Sequence, residues 1–302
     1  MAVATLHEAS PESSAKIAVG PDFLCVGMPK AGTSWLFEQL NRHPDFWLPP
    51  VKELHYLEYS VPKLENAKRL AKRVARRPGE PIGRFSGRRA WEERDSLFLS
   101  RLVELADRPL DLRSYGAVFA LKGSSISGDI TPGYCALRPK VIQQVGTAFP
   151  ELKVVLLVRD PVDRLWSHLN MLVRMGQLTV RDIESPYLLD EALNVRRLWR
   201  HAFASDVYAS WKENAPGIDI RHFFFDDILG EGEKLLRKIV RFLGGTGKIS
   251  VHTETNRKHA KAKRELQKRQ RRVLVEAMKD ELRKCAEIFG GHAVSWVKRY
   301  RV

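Results

Sequence analysis

The chain has 302 residues, 44% of them hydrophobic, which suits one large domain or two small ones around a substantial core. Its net charge of +15 and pI of about 9.8 favour anionic partners: nucleotide, nucleic acid, acidic glycan or a membrane surface. No stretch reaches the roughly 18 apolar residues of a membrane span. Three scattered cysteines, Cys25, Cys135 and Cys285, fit neither a disulfide framework nor a zinc site.

Residues 1–21 are polar and Ala/Ser-rich, with no secretory apolar segment. They read as a flexible tail before a single domain over 22–302, and the expected compartment is the cytoplasm. Phe23 to Val26 is an apolar run of strand character. It turns through Gly27-Met28-Pro29-Lys30-Ala31-Gly32 and leaves as a helix, Thr33 to Leu40. Strand, Gly-rich turn and helix aim backbone N–H groups and a positive helix end at a phosphate. Gly27 and Gly32 have the spacing of a nucleotide-binding P-loop. Thr33, however, stands where that loop has its lysine, and Lys30 sits inside the turn. A kinase or ATPase would lose the group that reaches the β- and γ-phosphates. A phosphosulfate needs only backbone donors, two hydroxyls and one lysine near the bridging oxygen.

Pro29-Lys30-Ala31-Gly32-Thr33-Ser34-Trp35-Leu36 resembles the 5′-phosphosulfate loop of sulfotransferases that use 3′-phosphoadenosine 5′-phosphosulfate (PAPS). The resemblance implies that Lys30, Ala31, Gly32, Thr33, Ser34 and Trp35 bind the donor and that Lys30 is also catalytic. An ordinary tight turn between strand and helix is the plainer alternative.

Residues 41–50, with paired prolines, read as an extended crossing. Lys52-Glu53-Leu54-His55-Tyr56 then resembles the Lys-Glu-x-His-(Phe/Tyr) stretch of glycan-type sulfotransferases, the heparan sulfate group in particular. By that resemblance Glu53 is the base for the acceptor, and Lys52 and His55 touch the acceptor. Residues 64–77 form a helix with a cationic face and 88–105 another, within a helical insertion over 61–115 where acceptor specificity could reside. After the apolar run 115–121, Asp129, Thr131, Pro132 and Tyr134 resemble a cleft-lining family stretch, which makes Tyr134 an acceptor contact. Ile130 replaces the lysine that glycan enzymes often carry there.

Val154 to Val158 is continuously apolar, as in a parallel strand covered on both faces. Arg159-Asp160-Pro161 then starts a helix. The stretch resembles the family's 3′-phosphate motif, with Arg159 and, eight positions on, Ser167 as donors. Arg164 and Arg174 either add to the positive field or pair with nearby acids. Residues 188–211 read as one helix and 219–225 as a strand. Asp226 and Asp227 read as caps for a helix over 231–243. The basic stretch 253–264 stands where the family closes a loop over the nucleotide, with Arg257 and Lys258 as candidates. A last helix spans 265–289, and Trp296 packs back.

The elements alternate as in an α/β fold with a central parallel sheet flanked by helices. The resemblance implies a P-loop-like sulfotransferase fold and transfer of a sulfuryl group from PAPS to an acceptor hydroxyl or amine, leaving 3′-phosphoadenosine 5′-phosphate (PAP) and needing no metal. The acceptor implied is a glycan or glycosylated small molecule, with neither nucleic acid nor a membrane span expected. Two rivals stand: a P-loop kinase or ATPase, and a basic nucleic-acid-binding protein using 64–77 and 253–272.

Overall fold

In the computed structural model, which describes residues 19–76, 91–195, 203–246 and 264–302, four strands form one parallel sheet. They are β1 (Phe23–Gly27), β2 (Gly128–Ile130), β3 (Lys153–Val158) and β4 (Asp219–Phe224), in the order β2-β1-β3-β4. Every residue of β1 is buried, and β3 is buried from Val154 onward, as their apolar runs require when helices cover both faces. From β1 the chain moves to one side to make β2 and to the other to make β3. That reversal opens a crevice at the carboxyl ends of β1 and β3.

Helix α1 (Thr33–Leu40) leaves the turn after β1. Next come α2 (Glu65–Arg76), α3 (Glu93–Glu104) and α4 (Leu112–Val118), which make up the insertion. Helix α5 (Pro139–Ala148) precedes β3, and α6 (Pro161–Arg174) follows it. Helices α7 (Val180–Glu184), α8 (Pro186–Val195) and α9 (Ala204–Asn214) lead to β4. They are followed by α10 (Phe225–Gly230), α11 (Gly232–Leu243), α12 (Lys268–Phe289) and α13 (Gly291–Tyr300). One apolar core runs from Phe23 to Trp296 and takes in Phe98 and Leu102 of α3. The Trp47 indole donates to buried Asp95 at 3.1 Å, which ties the insertion to the crossing after α1.

Three readings change, and one run gains an assignment. The helix expected over 88–105 begins at Glu93, where Glu92 and Asp95 form a reciprocal capping box, and Leu97 faces solvent. The helix expected over 188–211 is two helices, because Phe203 is extended ahead of α9. Asp226 and Asp227 do not cap the helix after them. They lie in the first turn of α10, while Glu231 precedes α11 without a side-chain cap. The apolar run 115–121 belongs to α4 and a 3-10 turn, and the strand beyond it is the three-residue β2. Arg257 and Lys258 lie outside the described residues.

Candidate active site

The turn between β1 and α1 sits at the crevice. Gly32 precedes α1 with φ 100°, and a Cβ there would collide with Ile228 and press on Phe225. Glycine offers no capping side chain, so the N–H groups of the first turn of α1 are left for a ligand. Ser34 is exposed at this end. Thr33 and Ala31 are buried, and the Trp35 indole belongs to the core, so Trp35 can offer a ligand its backbone only.

The loop and the start of α6 are bonded together. Asp160 caps α6 by accepting from the N–H groups of Val162 at 2.9 Å and Asp163 at 3.3 Å, with Pro161 in the first turn. Beside it the Arg159 guanidinium donates to the Lys30 carbonyl at 2.8 Å and lies 4.3 Å from the Phe225 ring centroid. Arg164, expected either to add to the positive field or to pair with an acid, is buried behind the loop with Nη1 3.5 Å from the Pro29 carbonyl, and burial pushes it down to about 10. It still carries its charge at neutral pH.

Lys30 has φ 70° and reaches across to α6, with its Nζ 3.9 Å from Met171 Sδ. Ser167, Met171 and Arg174 are four and three residues apart, so they share one face of that helix. Burial pulls the Lys30 amine below its ordinary value. The charges of Arg174, Arg159 and Lys52 add to this, and Glu53 opposes them. Charged groups from the loop, from α6 and from the 52–55 segment therefore act on one another in a single, mainly cationic field.

In that segment Glu53 and His55 both have positive φ, 63° and 55°. Lys52 pairs with one oxygen of Glu53. The other lies 3.6 Å from His55 Nε2, an ion-pair distance longer than a hydrogen bond. Burial works to raise the Glu53 carboxyl, but His55 and Lys52 overrule it and hold it at about 2. His55 is raised to about 10 by Glu53 and then by Glu58, whose carboxylate meets Nδ1 at 2.8 Å.

A family model described as "Sulfotransferase family" matches residues 21–246. The chain belongs to the sulfotransferase family. As a sulfotransferase it resembles a solved sulfotransferase from Alicyclobacillus acidocaldarius, with 21% identity, a TM-score of 0.61, and coverage of 91% of this chain and 98% of that one. It also matches the sulfotransferase domain of the Synechococcus PCC 7002 olefin synthase, at 16% identity and a TM-score of 0.47, over 80% of this chain and 78% of that one. A third match is the sulfotransferase domain from the curacin biosynthetic pathway, at 17% identity and 0.48, over 76% of each chain. No curated protein matches. The first of these likenesses supports the fold, and the family match makes the chain an enzyme of this class rather than a kinase.

One acceptor contact expected of the sulfotransferase is corrected. Tyr134 is fully buried and does not face the cleft. Its hydroxyl donates to Asp129 at 2.5 Å and accepts from the N–H groups of Tyr56 at 3.2 Å and Leu57 at 3.5 Å. Asp129 also accepts from Thr131 at 2.6 Å, Tyr115 at 3.0 Å and the Leu54 backbone. This buried carboxylate thus holds the backbone on both sides of His55. Ile130, in the place of the family's lysine, is buried in β2 against β1, where an ammonium would be desolvated.

Sequence reasoning missed Glu58. Its signal is Gly133: a Cβ there would collide with the Glu58 carboxylate, so the glycine in Thr131-Pro132-Gly133-Tyr134 leaves room for it. Among the described residues no cluster of His, Cys, Asp and Glu could hold a metal, and no helix is long and apolar enough to cross a membrane.

Proposed function

We propose that this sulfotransferase moves a sulfuryl group from PAPS to a hydroxyl or amine of a glycan or glycosylated small molecule, and that it works in the cytoplasm without a metal. One juxtaposition carries the reading: Lys30 from the phosphate loop and Glu53 from a separate segment lie in one field, beside an Arg159 bonded to that loop. PAPS supplies a sulfur whose bond to the bridging phosphate oxygen breaks as the acceptor's bond to sulfur forms.

The chain's residues have distinct tasks. The N–H groups at the start of α1, with the Ser34 hydroxyl, hold the 5′ end. Lys30 neutralises charge on the departing oxygen. The Arg159 fork and the Ser167 hydroxyl take the 3′-phosphate, and Arg257 and Lys258 close over the nucleotide. Glu53 takes the acceptor's proton, with Lys52 and His55 orienting it. A carboxylate held at about 2 is a weak base. An anionic donor among Lys30, Lys52 and Arg174 draws off part of that cationic field and raises the basicity of Glu53. Donor binding thus precedes proton transfer.

Calorimetric titration with PAP, AMP and ATP tests the donor. Selective binding of PAP is expected, and equal binding of ATP would overturn the reading. Lys30→Ala and Arg159→Ala are each expected to abolish measurable transfer, and retention of full activity by both would be fatal. A glycan screen with labelled PAPS tests the acceptor, and label found on peptide or simple phenol alone would refute the glycan assignment.

A further inference from the structure

Arg159 stands among acids. Asp163, Asp160 and Asp226 all act on its guanidinium, and Asp227 follows in α10. Left bare, these carboxylates would compete for the fork and repel a phosphate brought to it. Burial and the neighbouring Asp163 push the Asp160 carboxyl up to about 6, as crowded acids require.

Helix α13 meets this group with donors. Arg299 Nη1 and the Tyr300 hydroxyl both donate to Asp160 Oδ2, at 3.1 and 2.9 Å, and Arg299 lies 3.9 Å from Asp163. The Trp296 indole donates to Asp226 at 3.2 Å, and His292 Nε2 lies 2.7 Å from Asp227. Positions 292, 296, 299 and 300 fall on one helix face. That face bridges the residues that follow β3 and β4. The seat is fixed by packing: Phe224 stands edge-on to Trp296 at 5.5 Å and to His292 at 5.2 Å, and a Cβ on Gly291 would press on Phe224. Helix α13 lies beyond residue 246, where the family match ends.

We infer that α13 is a working part of the donor site: Arg299 and Tyr300, supported by Trp296 and His292, engage the acids around Arg159 and leave its fork free for a phosphate. This rests on the proposed reading of Arg159 as the 3′-phosphate ligand. Arg299 and Tyr300 are positioning residues, since each acts through Asp160.

The test compares two nucleotides that differ only in the 3′-phosphate. The double variant Arg299→Gln, Tyr300→Phe is titrated with PAP and with AMP beside the wild type. A loss of PAP affinity of about tenfold or more is expected, with AMP affinity unchanged. In turnover, KM for PAPS rises while KM for the acceptor holds. Arg299→Lys, which keeps the cation, restores most of the PAP affinity. Unchanged PAP binding in the double variant overturns the inference. So does an equal loss for both nucleotides, which would show general damage to the site. If the wild type itself binds PAP no better than AMP, the donor reading falls first and takes this inference with it.

Discussion

The opposed shifts of Glu53 and His55 set a pH window for their pair. Glu53 is depressed from 4.5 to about 2, so its contribution to stability is present above 4.5 and is lost as pH falls through about 2. His55 is raised from 6.5 to about 10, so its contribution is present below 6.5 and is lost as pH rises through about 10. Together they support the segment most between 4.5 and 6.5. Thermal melts across pH should show stability declining above 6.5, and His55→Asn should flatten that decline; an unchanged slope would contradict the assignment. Glu53→Gln should lower turnover by about 100- to 10,000-fold while PAP still binds, as expected for a positioned base. Gly133→Ala acts for another reason. The added methyl displaces the Glu58 carboxylate, the free end of a flexible side chain, from its place against His55, so its effect is on the site more than on stability. Kinetics of this variant should show kcat falling with little change in donor KM.

At the scale of elements, the 52–58 segment has no regular structure of its own and takes its shape from β2. Asp129 on β2 accepts from three side-chain hydroxyls and the Leu54 backbone. Asp129→Ala strands those donors, and unfolding should show a loss on the order of 3 kcal/mol, since each buried orphan costs about 1–3 kcal/mol. Full stability in that variant would remove the scaffold argument. This element also marks where sequence reading stopped. β1 and β3 were legible because continuous apolar runs of five or six residues have few other uses, and the turns after them carry Gly32 and Arg159 at informative spacing. β2 has three residues and no periodicity, so nothing local announces it. The motif around Tyr134 gives proximity in sequence but not the direction of a ring, and the ring turns inward. Glu58 escaped because its partner His55 is three residues back in a stretch without helical or strand period. The break before α9 escaped because apolar residues continue through it.

For the whole molecule, the single core among the described residues leads us to expect one unfolding event. Phe98 lies in the insertion yet is fully buried against Trp47 and Phe119, with ring centroids at 5.5 and 5.6 Å. Phe98→Ala should therefore lower the unfolding free energy of the entire domain by a cavity-sized amount, about 3–5 kcal/mol, and shift its single melting transition down. A calorimetric trace that split in two would instead make 61–115 a separate unit. The net charge of +15 acts at the same scale. Association of PAP should slow as salt rises, because exposed charges beyond a Debye length of about 10 Å at 0.1 M are screened. The strand order has a further consequence, in the time domain of synthesis. β1 is made first but lies in the middle of the sheet, and its neighbours begin at Gly128 and Lys153. β2 can cover one edge of Phe23 to Gly27 only after about 100 further residues have been made, and β3 the other only after about 130. Such long-range parallel pairing is slow to form and exposed to aggregation. The phosphate loop follows directly on that strand, so the donor site can take shape only after β3 has arrived. A nascent chain cut short of Val158 should be held by chaperones and unable to retain PAP.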